Sequence, residues 1–115
     1  MKHLLIACGG LALVAAPAVA GDPIEVIASD DAVEARVYHG DLDLQSKAGN
    51  GALKARVTNA ARKLCLTPGV QPLNIWQDER SCYSTAKADG FAQADAFYNA
   101  PRGSVIVQTM VISGR

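Results

Sequence analysis

The sequence predicts one small domain of the α+β class, in which a small antiparallel sheet packs on a disulfide-linked helical hairpin. Apolar and polar residues alternate near both ends of the chain, which is typical of strands. Between them, apolar residues recur at helical spacing. Cys65 and Cys82 lie near the junction of the two predicted helices. In an exported protein such a pair is most simply a disulfide.

The first 20 residues have the pattern of a cleaved export signal. Lys2 precedes an uncharged run of 17 residues, 4–20, which ends in Ala18-Val19-Ala20, a small-x-small cleavage pattern. We therefore expect a mature domain of residues 21–115, located in the periplasm or outside the cell, with no membrane span left after cleavage. A lipoprotein-type site at Cys8 is the alternative, but too few residues precede that cysteine to form a complete apolar segment.

The N-terminal part of the mature chain predicts a hairpin followed by a helix. Residues 24–28 and 32–39 alternate in polarity around a Ser-Asp-Asp turn cluster, which favours two paired strands. Residues 46–65 then change to the helical period, with Arg and Lys opposite the apolar positions. Thr67-Pro68-Gly69 is expected to end this helix.

The second predicted helix follows a long loop. The loop reaches about Gln77 and contains Trp76, and the helix is expected to run from about Asp78 to about Tyr98. Asp78 and Glu79 suit a helix start because carboxylates interact favourably with the free amides there. The predicted order is therefore strand, strand, helix, helix, strand.

The last predicted strand, residues 104–113, is apolar on both faces. One interpretation is that a second copy or a partner covers one face, with Ile106, Met110 and Ile112 as the contact surface. The other is that the strand is central in the sheet and that the loop between Cys65 and Cys82, with Trp76, covers its second face. The sequence leaves both interpretations open.

Charge argues against a nucleic-acid partner. Without the first 20 residues the chain has 10 basic and 11 acidic residues, because Lys2 is the only charge removed, and its net charge is −1. Binding to phosphates needs a basic excess on one face. Acids nevertheless concentrate in residues 22–43 and bases in residues 44–77, where no acid occurs.

The residues that most resemble a site lie just before the first helix. His39, Asp41 and Asp43 would share one face if the strand continued, which gives one nitrogen and two carboxylates for a metal. A calcium loop starting at Asp41 is excluded, because its sixth and twelfth positions are Ser46 and Ala52. The competing interpretation is structural: the carboxylates face water, and Asp43 or Ser46 accepts hydrogen bonds from free amides at the helix start.

No catalytic constellation is recognisable in the sequence. His39 is the only histidine after the export signal, and no nucleophile elbow or phosphate-binding glycine loop occurs. The sequence therefore predicts a non-enzymatic module that uses no cofactor and binds an envelope protein or another envelope component. A homo-oligomer is a further interpretation that the sequence leaves open. The alternative is a metal-binding protein or metal-dependent enzyme that uses His39, Asp41 and Asp43.

Several of these features together resemble the UrcA family of small exported bacterial proteins. The resemblance covers about residues 33–96 and rests on Tyr38, Asp41-Leu42-Asp43-Leu44, the basic helix with Ala60-Ala61-Arg62 that ends in Cys65, and Arg80-Ser81-Cys82 before an alanine-rich segment. The family is one of unknown function, so the resemblance implies export but no catalytic residue.

Overall fold

The computed structural model describes residues 24–29 and 32–114, so the predicted export signal lies outside the described residues. Its elements follow the predicted order of strand, strand, helix, helix, strand. They are β1 (Glu25–Ser29), β2 (Ala32–Tyr38), α1 (Lys47–Cys65), α2 (Leu73–Asn99) and β3 (Thr109–Gly114). The fold is α+β, as the sequence predicts.

The three strands form one antiparallel sheet in the order β1-β2-β3. Val37 pairs with Met110 and Ala35 pairs with Ile112, and all four side chains are buried on the face that the helices cover. The alternate positions of β2 and β3 face away from the helices and include Arg36 and Thr109, which are exposed. One face of the sheet therefore lies in the core and the other faces solvent.

The C-terminal strand differs from its prediction. It begins at Thr109, five residues later than expected, and Ile106 in the preceding segment is 87% exposed. Met110 and Ile112 are 3% and 0% exposed, so the predicted contact surface of Ile106, Met110 and Ile112 is wrong. The two-sided apolar pattern came largely from residues 104–107, which are not in the strand.

The prediction that this strand is central is wrong as well, because β2 is the central strand and β3 lies at an edge.

The free edge of β3 is partly covered by a side chain of α2. Main-chain carbonyls point alternately to either side of a strand. The Gln108 carbonyl accepts from His39 on β2's side, so the Val111 carbonyl, three residues on, points away from β2. Gln93 Nε2 of α2 donates to that carbonyl at 2.8 Å. A side chain thus occupies the middle of the free edge of β3.

Helix α1 matches its prediction closely. Its buried apolar residues recur three or four positions apart, at Leu53, Val57, Ala60 and Ala61, and all four are 0% exposed. The buried Asn50 donates from Nδ2 to the Ala94 carbonyl of α2 at 2.8 Å, which satisfies a polar group between the helices.

Helix α2 begins at Leu73, five residues before the predicted start at Asp78. Pro72 occupies the N-cap position, and its lack of an amide proton costs nothing before a helix. The loop between the helices is therefore short, and Trp76 lies in the helix rather than over the sheet. The buried positions of α2 are Ala86, Gly90 and Ala94, which are small enough for close approach to α1.

The predicted disulfide is present between Cys65, the last residue of α1, and Cys82 in α2, with their Cα atoms 5.6 Å apart. The end of β3 packs on it, because a Cβ at Gly114 would overlap the sulfur atoms of both cysteines. The bond thus ties both helices together at the point where the sheet also ends.

We expect Cys82→Ser to lower the free energy of unfolding by about 3 kcal/mol, since the bond closes a loop of 17 residues. In a domain of this size that corresponds to a fall of roughly 4–8 °C in Tm per kcal/mol. Cys65→Ser should have the same effect, and the double variant should lose no more than either single variant. Additive losses in thermal or urea unfolding, or free thiols at both positions in the alkylated, non-reduced protein, would contradict the bond.

Gly90 is expected to be intolerant of a side chain. A Cβ at this position would overlap Val57 and approach a methyl group of Ile112 at 2.9 Å, so Gly90→Ala should destabilise the protein by about 1–3 kcal/mol. Gly51 in α1 is the matched control, because nothing lies within 4 Å of its Cβ position. Gly51→Ala should stabilise by about 0.5–1 kcal/mol through helix propensity. Equal changes in urea unfolding would rule out the packing argument.

Candidate functional site

His39 is a core residue. It follows β2, is 1% exposed, and its ring centroid lies 5.1 Å from that of Phe97. Its backbone amide donates to the Gln108 carbonyl at 2.8 Å, and its own carbonyl accepts from Leu42 at 3.0 Å in the turn that follows. The side-chain Nε2 is buried without a hydrogen-bond partner. Burial lowers the pKa of His39, and the nearby Arg56 lowers it further.

Asp41 forms an ion pair with Arg56 of α1. Arg56 Nη1 and Nη2 donate to the two carboxylate oxygens, each at 2.6 Å, and Nη1 also donates to the Tyr38 carbonyl at 3.0 Å. The hydrogen bonds from Arg56 hold the pKa of Asp41 at about 2. Because Arg56 belongs to α1, this contact fastens the turn after β2 to the first helix.

Asp43 and Ser46 organise the start of α1. Ser46 is the N-cap residue, and its Oγ accepts from the Gly49 amide at 2.9 Å. The Ser46 hydroxyl in turn donates to the main-chain carbonyl of Asp43 at 2.8 Å. The Asp43 carboxylate accepts from the Gln45 amide at 3.2 Å, which is a local turn contact. The nearby Leu44 is buried in the core.

The three candidate metal ligands therefore do not converge. His39 faces Phe97, Asp41 faces Arg56 and Asp43 faces its own turn. In residues 24–29 and 32–114, no three His, Cys, Asp or Glu side chains are grouped so that they could hold a metal ion. The metal-site hypothesis has no geometric support in this part of the chain.

A different surface stands out at the opposite end of the helical hairpin. Four large apolar side chains are exposed there, in the loop between the helices and in the first turn of α2. We call this group the apolar tip; it comprises Val70, Leu73, Ile75 and Trp76, which are 102%, 69%, 40% and 48% exposed. Large apolar side chains exposed at one end of a small domain are typical of a binding surface.

The tip is exposed because α2 extends past the end of α1 and past the sheet. Nine residues of α2 precede Cys82, a length of about 13 Å. Helix α1 ends at the disulfide and β3 packs against it, so neither reaches this segment. No residue between positions 72 and 81 is buried.

Two basic residues lie on α1 just before the disulfide. Arg62 and Lys63, at the C-terminal end of α1, line an open groove of about 450 Å³ together with Leu66, Thr67 and Pro68. The Thr67 amide donates to Glu79 Oε1 at 3.0 Å, which fixes the start of the loop to the second turn of α2. The groove and the tip are therefore parts of one end of the molecule.

A further basic side chain lies over the ring of Trp76. The Arg80 guanidinium lies 5.2 Å from the centroid of its ring, one helical turn further along α2. Sequence reasoning missed this arrangement because it placed Trp76 in a loop. The signal was present in Pro72 followed by Leu73 and Trp76, which is a proline before a helix whose apolar residues are three apart.

We expect the stability of the protein to fall as the pH is lowered below about 6.5, the ordinary pKa of histidine. The folded protein binds the His39 proton less readily than the unfolded chain, so protonation favours unfolding. The stability that neutral His39 provides is fully present above this pH and is lost as the pH falls through the lowered pKa. His39→Phe keeps a ring against Phe97 and should abolish the slope of Tm against pH in this window. An unchanged slope would show that groups other than His39 cause the effect. The only other histidine in the sequence, His3, lies in the predicted export signal.

Comparison with protein-family models, with curated proteins and with solved structures gives no match to this chain. The resemblance to the UrcA family therefore remains a prediction from the residues that carry it. Within the described residues, no helix is long and apolar enough to cross a membrane.

Proposed function

We propose that this chain is an exported, non-enzymatic binding module of the bacterial envelope, and that the apolar tip is its contact surface. The predicted export signal and the Cys65–Cys82 disulfide support the compartment, because structural disulfides persist in oxidising environments. The resemblance to the UrcA family, whose members are small exported proteins, fits the same proposal.

The roles of the titratable groups before α1 favour binding over catalysis. His39 packs in the core and Asp41 is committed to Arg56 by two short hydrogen bonds. A low pKa keeps the Asp41 carboxylate charged and paired, whereas a general acid or base needs a pKa near the working pH. These side chains hold the turn and the helix in place.

The observation that carries the proposal is the exposure of the apolar tip. Leu73 is 69% exposed and Val70 is fully exposed, while smaller apolar residues such as Ala86 and Ala94 are completely buried. Exposing large apolar side chains forgoes roughly 1.5–3 kcal/mol each that burial would provide. A contact with another molecule would recover that free energy.

Site-specific photocrosslinking in the producing cell tests this proposal. A photoreactive amino acid in place of Leu73 should give adducts in the compartment to which the protein is delivered. The matched control is the same amino acid in place of Asn59, an exposed polar residue of α1. Adducts at position 73 and none at position 59 are expected, whether the adduct is a protein or a lipid. Equal yields at both positions, or no adduct at either, would contradict the proposal.

A further inference from the structure

We infer that His39 is a pH switch: its protonation opens the end of the domain where it is buried, while the helices and the sheet stay together. Two parts of the chain meet at this end. One is the turn of residues 40–45, and the other is the connecting segment, residues 100–108, which joins α2 to β3. His39 and the apolar tip lie at opposite ends of the helical hairpin, so the switch is independent of the proposed contact surface.

The connecting segment is held by few contacts. None of its residues is buried. In the described part of the chain, two hydrogen bonds fasten it to residues that precede α1. Gln45 Nε2 donates to the Ala100 carbonyl, and the His39 amide donates to the Gln108 carbonyl at 2.8 Å. Val105 adds an apolar contact with the core. Segments with so few contacts open at a low cost in free energy.

A cleft separates the turn from the connecting segment. It has a volume of about 140 Å³ and is lined by Leu42, Asp43, Leu44, Gln45, Gly103 and Val105. His39 lies where the two walls of this cleft meet, because its carbonyl accepts from the Leu42 amide of the turn and its amide donates to Gln108. Opening at His39 therefore widens an existing gap and does not break a closely packed interface.

The side chain of His39 is not suited to carry a charge in the closed form. It is 1% exposed, and its ring packs against Phe97 in the last turn of α2. Its Nε2 has no hydrogen-bond partner in the described residues. Protonation adds a positive charge and a further N–H donor at this buried position, which is costly without an acceptor. Burial lowers the pKa of His39 for this reason.

The acids of the neighbouring turn and helix end already have partners within the described residues. They are Asp41 with Arg56, Asp43 with the Gln45 amide, and Asp95 with Lys54. The connecting segment contributes one charge, the cation Arg102, and β3 contributes none up to Gly114. The charged residues of β2, Glu34 and Arg36, lie on the other face of the sheet. Protonated His39 therefore gains solvation by contact with water, which requires the cleft to open.

The rest of the fold is held from the opposite end. The disulfide lies there, and Cys82 is 15 residues from Phe97, which is about 22 Å along α2. Between these two residues, Gly90 of α2 packs closely against both α1 and β3. The helices and the sheet therefore keep their contacts when the residues around His39 open.

Amide hydrogen exchange, followed by NMR as a function of pH and of low urea concentration, tests the switch. The oxidised protein is expressed from the full chain, so that the cell carries out any processing. The His39 and Leu42 amides report on the end that opens, and the Val57 amide reports on the core of α1.

The exchange at His39 and Leu42 is corrected for the intrinsic effect of pH on amide exchange. The equilibrium constant for opening should then rise by up to about tenfold per pH unit below about 6.5, which is the slope for one proton. This exchange should be insensitive to urea because a local opening exposes little surface. Val57 should exchange faster as urea is added, because its amide is exposed by unfolding of the whole domain.

Two variants assign the proton. His39→Phe keeps a ring against Phe97 but cannot be protonated, so the exchange of Leu42 should lose its pH dependence. Asp43→Asn is the matched control, because it removes the ionisable group that lines the cleft, and the pH dependence should remain. Far-ultraviolet circular dichroism and Tm verify that each variant is folded.

Four results would overturn the inference. The first is exchange at Leu42 that does not depend on pH in the wild type. The second is a common urea dependence of Leu42 and Val57, since the domain then opens only by unfolding as a whole. These two measurements decide the question even if His39→Phe does not fold. The third and fourth are a pH dependence that persists in His39→Phe and one that is lost in Asp43→Asn.

Discussion

The Cys65–Cys82 bond links the two helices covalently at the point where the end of β3 packs on them. It fixes the end of α1 to the third turn of α2, and the last residue of β3, Gly114, lies against its sulfur atoms. On one side of the bond, both helices cover the sheet with small and branched side chains. On the other side, α2 continues beyond α1 and contacts the loop between the helices, where the Thr67 amide donates to Glu79. The same covalent link therefore stabilises the core and determines which part of the second helix projects from it.

At the other end of the domain, polar side chains form hydrogen bonds with main-chain groups that apolar packing would leave without partners. Gly40 follows β2 immediately after His39, and the chain must turn there from the sheet into α1. Arg56 reaches from the helix to the Tyr38 carbonyl and to Asp41, and Ser46 satisfies a free amide at the helix start. Residues that resemble metal ligands in the sequence thus hold the turn and the helix start in place. Main-chain polar groups need hydrogen-bond partners wherever regular structure ends.

The sequence was sufficient for the elements whose periodicity is strong and local, such as α1, and for the cysteine pair. It could not locate the start of β3, because Val105, Ile106 and Val107 have high strand propensity. The reason lies in the partner strand: β2 ends at Tyr38, which pairs with Thr109, and the chain then turns away. Residues before Gln108 have no neighbour to pair with, and no local pattern records that. The apolar tip was missed for a related reason, since exposure depends on where α1 stops.

The hydrogen bond between Gln93 and the Val111 carbonyl has a consequence for how the protein behaves when crowded. An edge strand usually offers a row of free amides and carbonyls on which other chains can polymerise. Here an incoming strand would have to displace the Gln93 amide at the centre of that row before it could align. The Gln93 side chain therefore protects the free edge of β3 against the addition of a strand from another copy, which is a common route to aggregation.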